Sequence, residues 1–459
     1  MKYQVISKKI FIFFFSFIFS ILFPKSKTTF LNEEYLSFQE KYQIDTIDND
    51  KSYIINIKEI NGDVIIKGHI DSGVFLVANH LFEKESLEEV KKLSDKNVLS
   101  VLQKNEHINI KYQKNKTYQY LSNYVLNVPI NTNLNISLSG GSINTNQVEG
   151  NLSFFTSGGD IVLNEIIGNI STKTNSGDIV VQNCSGKFRI HTNSGTIKLN
   201  KNKGNFSMSS SAGDTFINEL IGNIELMSMA GSVYLNNLKE SDIQCRISYG
   251  SIFAKEIVGN FYGETKSGDI SIESLDGFCT LSSVNGNIDT RYLVGSVIID
   301  VENGNIKGQN IYGPIQAFTS LGNIYIDIAF DYSILDYSVG LETGIGNINI
   351  GLPKKFPVNI EAEISDDKTS SKYTHIPTDR VIKDLELLGW GVVDAKEVNA
   401  RQDKGYQKHL VVFRNPDVSI NKKSTNVDGD VFEDIVFPQI LVTNSHDGKN
   451  SFKFQAGLY

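Results

Sequence analysis

The chain has 459 residues and a formal net charge of −8, from 52 Asp and Glu against 44 Lys and Arg. That length admits two or three ordinary domains or one extended array, and the acidic balance argues against a broad nucleic-acid-binding surface. The three cysteines, Cys184, Cys245 and Cys279, are odd in number and lack metal-ligand spacing, so neither a zinc framework nor a complete disulfide framework is encoded.

The first element is a targeting segment. Lys2, Lys8 and Lys9 precede the apolar run Ile10 to Phe23, which Pro24, Lys25 and Lys27 end. The run is short for a membrane span, so residues 1–27 read as a signal peptide or an uncleaved N-terminal anchor. No Cys follows it to carry a lipid, and the mature chain is expected beyond the cytoplasmic membrane: periplasm, cell surface or secreted. Residues 28–129 read as a β-rich N-terminal cap. Its strands are SYIINIKEI, GDVIIKG, VFLVAN, HINIKY and YVLNVP, and its helix is SLEEVKKLSDK, in which Ser86 and Glu89 are spaced as a capping box.

From residue 130 to 352 a Gly-x-apolar unit recurs every nine residues, from Gly141 through Gly177, Gly186 and Gly195 to Gly231. One residue is then inserted, Ser241 stands where Gly is expected, and the phase resumes at Gly250 and runs to Gly322, with a late copy at Gly346. The units alternate between two kinds. SGDIVLNEII places apolar residues two, four and seven positions after the Gly, so a corner falls after a short strand. GKFRIHTNS alternates Phe188, Ile190, Thr192 and Ser194 with Lys187, Arg189, His191 and Asn193, the pattern of a strand with one buried face. The true repeat is eighteen residues, which cannot bury a face alone but can when copies stack. The sequence predicts an all-β chain: a parallel β-solenoid of about ten coils at roughly 4.8 Å each. Glycine marks its corners, where a bend needs positive φ or close backbone approach. Thr215 and Cys279 depart from the apolar column two places after the Gly. Cys245 and Cys279 fall in inward columns two coils apart, roughly 9 to 10 Å, beyond disulfide reach, so all three cysteines read as small buried apolar residues.

Residues 353–459 read as an irregular C-terminal cap, with a short helix over Arg380 to Leu388 and one more coil-like unit at Ser424 to Ile435.

The ordered set INGDVIIKG, YVLNVPINTNLNISLSGGSI, the SGDI and GNI units, and INIGLPKKFPVNIEAEIS resembles the bacterial adhesin-like repeat family of unknown function. The resemblance covers Tyr53 to Ser365 and implies a single-stranded β-helix in an extracytoplasmic setting. It leaves the ligand open, and the residues after Asp366 are longer and less regular than the family pattern.

Candidate chemistry is sparse. Asp160, Asp178, Asp214 and Asp269 follow a repeat Gly, but Thr196, Ser232 and Ser251 replace Asp on other coils. Calcium needs six to eight oxygens, so capping of turns fits better and no metal site or cofactor is expected. Asn164, Gln182, Asn200, Asn218 and Asn236 share one position, as an amide ladder or a polar binding strip. Asp300 with Glu302, Asp289 with Arg291, and His191 between Lys187 and Arg189 are each read as solvated charges, so no catalytic residue is expected.

One outward column runs Val162, Val180, Lys198, Phe216, Tyr234, Phe253, Ser271. Phe216, Tyr234 and Phe253 are candidate binding residues for a glycan or protein ligand; alternatively the termini cover them, or they only stiffen the ladder. Two functions remain open: a non-enzymatic adhesin-like surface binding rod, or a structural or regulatory envelope module that engages another envelope protein through its caps. A polysaccharide-active β-helix enzyme is the less favoured third reading.

Overall fold

The computed structural model describes residues 27–32, 37–44, 52–70, 72–82, 86–95, 99–112, 120–354, 359–360, 378–397, 409–425, 431–436, 438–444 and 453–458. The targeting segment lies outside them but for Lys27, the first residue of a strand. The fold is all-β, a parallel β-solenoid of about 11 turns with two short helices among the described residues. The chain divides into two compact units, Met1–Ala230 and Gly231–Tyr459.

In the first unit the half-coils pair in parallel with an eighteen-residue offset, as the repeat predicts. Ile143, Ile161 and Ile179 stand over one another in one half, and Leu134, Leu152, Ile170, Phe188, Phe206 and Ile224 in the other. These side chains are buried and form the core, where the rings of Phe188 and Phe206 stack at 4.3 Å. Register is strict because a one-residue slip would turn every apolar side chain to solvent. The strands Tyr53–Asn61 and Val64–His69 join the stack in parallel with Thr132–Gly140 and Ile143–Asn146. This is the coil encoded by INGDVIIKG, although the chain carries it well before the regular repeats.

One more parallel layer follows, His107–Tyr112 on Tyr53–Asn61 and Tyr120–Pro129 on Val64–His69, and parallel growth then stops. Leu99–Lys104 pairs antiparallel with His107–Tyr112, and Val74–Phe82 pairs antiparallel with Tyr120–Pro129. Ser37–Ile44 and Lys27–Asn32 add further antiparallel strands. A reversed strand offers no in-register template for another coil, which guards the edge against polymerisation. Helix Leu87–Ser94 lies here with its expected capping box intact, and its Val90 and Leu93 pack on Phe38 and Phe82.

In the second unit Ile252, Ile270, Ile288, Ile306, Ile324 and Ile348 form one column, and Phe261, Cys279, Val297, Ile315 and Val339 another. The inserted residue is absorbed as a register shift between Leu238 and Ser241, after which Ser241 pairs with Gly259 as the repeat requires. At the C-terminal end Lys453–Leu458 pairs antiparallel with Val339–Leu341, then with Pro438–Asn444, which pairs with His409–Arg414. The second helix spans Thr378–Leu387. The coil expected at Ser424 to Ile435 does not form: Ile420–Thr425 and Val431–Val436 pair antiparallel with each other in a separate two-stranded sheet. The Asp428-Gly429 pair between them is a hairpin signal, which outweighs a lone nine-residue likeness with no neighbouring coil.

The turns show why glycine recurs. A Cβ at Gly177 would strike the carbonyl of Gly159 in the preceding coil, and one at Gly186, whose φ is 136°, would strike that of Gly168. Thr174 Oγ1 donates to Gly159 O at 3.0 Å and accepts from Gly177 N at 3.1 Å, tying strand end to turn. The corner of the first half-coil is made six places after the Gly, by Glu165, Asn183, Lys201, Glu219, Asn237, Glu256, Ser274, Tyr292 and Asn310, all at φ between 53° and 67°. The amide column sits one residue earlier, so it flanks the left-handed corner and does not occupy it.

Candidate functional site

The outward column of the second unit is set by parallel pairing of Val233–Tyr249, Ile252–Ser267, Ile270–Asp276 and Ile288–Val294. Tyr234, Phe253, Ser271 and Asp289 follow in register, then Lys307 and Tyr325. Their inward neighbours are core isoleucine and valine, so alternation alone turns these side chains to solvent. Tyr234 is 37% and Phe253 39% exposed, and their rings stack at 5.0 Å with an interplanar angle of 11°. One face of each ring is therefore spent on the other. What remains open is the ring edges and the far face of Phe253, which looks toward the coil of Ser271.

The adjacent outward column carries charge. Lys255 Nζ lies 3.5 Å from Glu273 Oε1, and Arg291 Nε lies 3.6 Å from Asp289 Oδ1. Both pairs are half-exposed, so each contributes at most about 1 kcal/mol. Asp289 Oδ1 is shielded from solvent and makes no hydrogen bond. In the first unit Phe216 holds the corresponding outward position beside Lys198 in register and is 39% exposed; Lys198 Nζ reaches Asp178 Oδ2 at 3.5 Å.

The other candidate groups are occupied by structure. Asp160 Oδ1 accepts from Asp178 N, and Asp178 Oδ1 from Thr196 N, both at 2.8 Å; Asp269 Oδ1 accepts from Asn287 N at 2.7 Å. The Asp of the repeat thus caps the same turn one coil on, and Asn287, Asn305 and Asn323 continue this at 2.9 Å each. The amide column forms rungs: Asn164 Nδ2 donates to Asn146 Oδ1 at 2.6 Å and Asn218 Nδ2 to Asn200 Oδ1 at 2.9 Å. His191 Nδ1 meets Ser209 Oγ at 2.8 Å and its Nε2 meets Asn193 Oδ1 at 2.9 Å. Among the described residues, no group of three or more His, Cys, Asp or Glu is placed to hold a metal ion. The three cysteines are free and buried, and burial pushes the Cys184 thiol up to about 11 and those of Cys245 and Cys279 up to about 12.

Two polar clusters went unread in the sequence. Asn202 sits in the core column between Cys184 and Leu220, accepting from Cys184 N at 2.9 Å and donating to Val181 O at 3.0 Å. In the N-terminal strands His80 Nδ1 meets Ser122 Oγ at 2.7 Å, His80 Nε2 lies 3.6 Å from Glu40 Oε2, and Tyr42 Oη donates to Glu40 at 3.0 Å. The order Ser, His, Glu resembles a hydrolytic triad, but the three residues are no more than 1% exposed. They tie three antiparallel strands together. Nothing in spacing marks them, because partners on antiparallel strands are remote in sequence.

A family model described as a domain of unknown function, DUF932, matches residues 367–459, the C-terminal segment alone. No curated protein matches the chain. Three solved structures are similar, each covering 68% of this chain and 96% of its own. A candidate adhesin from Bacteroides fragilis NCTC 9343 is 12% identical with a TM-score of 0.16. A candidate adhesin from Parabacteroides distasonis ATCC 8503 is 11% identical with a TM-score of 0.20, and a candidate lipid-binding protein from the same organism is 16% identical with a TM-score of 0.19. The solenoid assignment rests on the strand pairing described above.

Proposed function

We propose that the protein is a non-enzymatic, exported cell-envelope protein, adhesin-like in role, which binds a surface ligand through outward columns of its solenoid. One observation carries this reading: Tyr234 and Phe253 stand open to solvent as a stacked pair, while the turn carboxylates and His191 are committed to hydrogen bonds within the stack. Exposed aromatics among polar residues are a common form of contact surface. Phe216 in the first unit offers the same chemistry. The ligand is a glycan or a protein at the envelope or surface, and contact with the membrane, if any, runs through the N-terminal segment. Among the described residues no helix is long and apolar enough to cross a membrane. The export reading rests on the sequence of residues 1–27.

A second reading, an envelope module that binds another envelope protein through its caps, is favoured by one observation. The matched family covers residues 367–459, which supply the antiparallel strands beyond Val339–Leu341.

Beads coated with the purified protein, offered purified matrix, glycan surfaces and solubilised envelope, separate the readings. The first expects adherence to matrix or glycan. Retention of one defined envelope protein, undiminished when Tyr234, Phe253 and Phe216 are serine, would replace it with the second.

A further inference from the structure

The column Tyr234, Phe253, Ser271, Asp289 changes character at Ser271. The ring of Phe253 has Tyr234 against one face, and its other face looks over Ser271, a side chain too small to cover it. Phe253 and Asp289 are separated by two strand spacings, about 9.6 Å. A six-membered ring seated on the Phe253 face at about 3.5–4 Å would occupy the level of Ser271. At that level Ser271 and Glu273 are outward neighbours on one strand, and Asp289 and Arg291 stand one coil further along. The Glu273 and Asp289 carboxylates thus stand beside and below the ring, their side chains 56% and 38% exposed, while Asp289 Oδ1 itself is shielded from solvent against Arg291. The four charges nearby form two pairs, Lys255 with Glu273 and Asp289 with Arg291, so the notch carries no net charge.

We propose that this notch, walled by Phe253, floored by Ser271 and edged by Glu273 and Asp289, is a subsite for one neutral hexopyranose unit of a polysaccharide. The proposal rests on the surface-binding reading above and names its ligand class. The C–H face of a pyranose is apolar and matches the exposed ring, and its equatorial hydroxyls meet carboxylate acceptors. A charged sugar would have to disrupt one of the two ion pairs.

The test is calorimetric titration of the full chain with cellohexaose, and with oligogalacturonate as the charged comparison. Ser271→Tyr is the decisive variant, since a tyrosine there prolongs the aromatic stack and fills the notch without touching the core. The parent is expected to bind cellohexaose and not oligogalacturonate. Ser271→Tyr and Phe253→Ala should each weaken binding by about tenfold or more, with an unchanged melting temperature for Ser271→Tyr. Thr280→Tyr, the same kind of change on the other half of the coil, should keep parental affinity. No binding of cellohexaose by the parent, preference for oligogalacturonate, or parental affinity in Ser271→Tyr would overturn the subsite. If Ser271→Tyr beads still adhere to matrix or glycan while the triple serine variant does not, the subsite fails and the surface-binding reading stands. If parental beads adhere to nothing, both fail.

Discussion

Single residues show how far the repeat could be read. The glycine period was legible because stacked coils leave no room for a Cβ, a constraint that repeats with the coil. Gly158 and Gly177 separate the two uses of glycine: a Cβ at Gly158 meets nothing within 4 Å, whereas one at Gly177 strikes the Gly159 backbone. Gly158→Ala should therefore change stability by less than about 0.5 kcal/mol, and Gly177→Ala should cost about 2 kcal/mol or more, read from chemical denaturation. The buried thiols make a second prediction. With pKa values near 12 at Cys245 and Cys279, the thiolate fraction at pH 8 is about one in ten thousand, so a thiol reagent should label the folded chain only after denaturant is added. These groups hold protons in the folded state that the unfolded chain releases above its ordinary thiol pKa of 9.0. Burial also raises Tyr42 and Tyr124, with the Glu40 charge adding to it. Stability should then fall as pH rises from about 9 toward 12, visible as a declining melting temperature, and be insensitive to these groups below that window. Asn202 and the Ser122–His80–Glu40 cluster escaped the sequence because each is a one-off solution without a period.

At the scale of elements, the strands were legible from alternation and their corners only in part. A corner was expected between the fourth and seventh positions after the Gly. The left-handed residue is the sixth, and it is Glu, Asn, Lys, Ser or Tyr in different coils. Its type is free because its side chain points outward and only its φ is fixed, so composition leaves no signature there. The conformation can be tested at Glu256, which has φ 55°. A β-branched side chain is poorly tolerated at such a φ, and glycine adopts it freely. Glu256→Val should be less stable than Glu256→Gly by about 1–2 kcal/mol, measured in the same denaturation assay. The hairpin of Ile420–Thr425 and Val431–Val436 shows the reverse failure. There a nine-residue likeness was read as a coil although the local turn signal and the lack of a neighbouring repeat both pointed to antiparallel pairing.

For the whole molecule, the same stacking accounts for stability and for the placement of the proposed contact surface. The interior columns supply the apolar core, and the turn ladders satisfy polar groups coil by coil. A chelator or a reductant should leave the melting temperature unchanged to within a degree or two, since structural metals and disulfides contribute several kcal/mol where they exist. Fold class was legible in the sequence because the repeat is itself the fold. Function was less so, because outward positions are released from the periodic constraint, and the proposed contact rests on a few side chains such as Tyr234 and Phe253. The most direct measurement is adherence of the full chain to glycan and matrix surfaces before and after Phe216, Tyr234 and Phe253 are all changed to serine, with melting recorded in parallel. The account predicts that adherence is lost while the melting temperature stays within a few degrees of the parent, as expected for exposed side chains. Parental adherence in the variant, or a variant that does not fold, would contradict it.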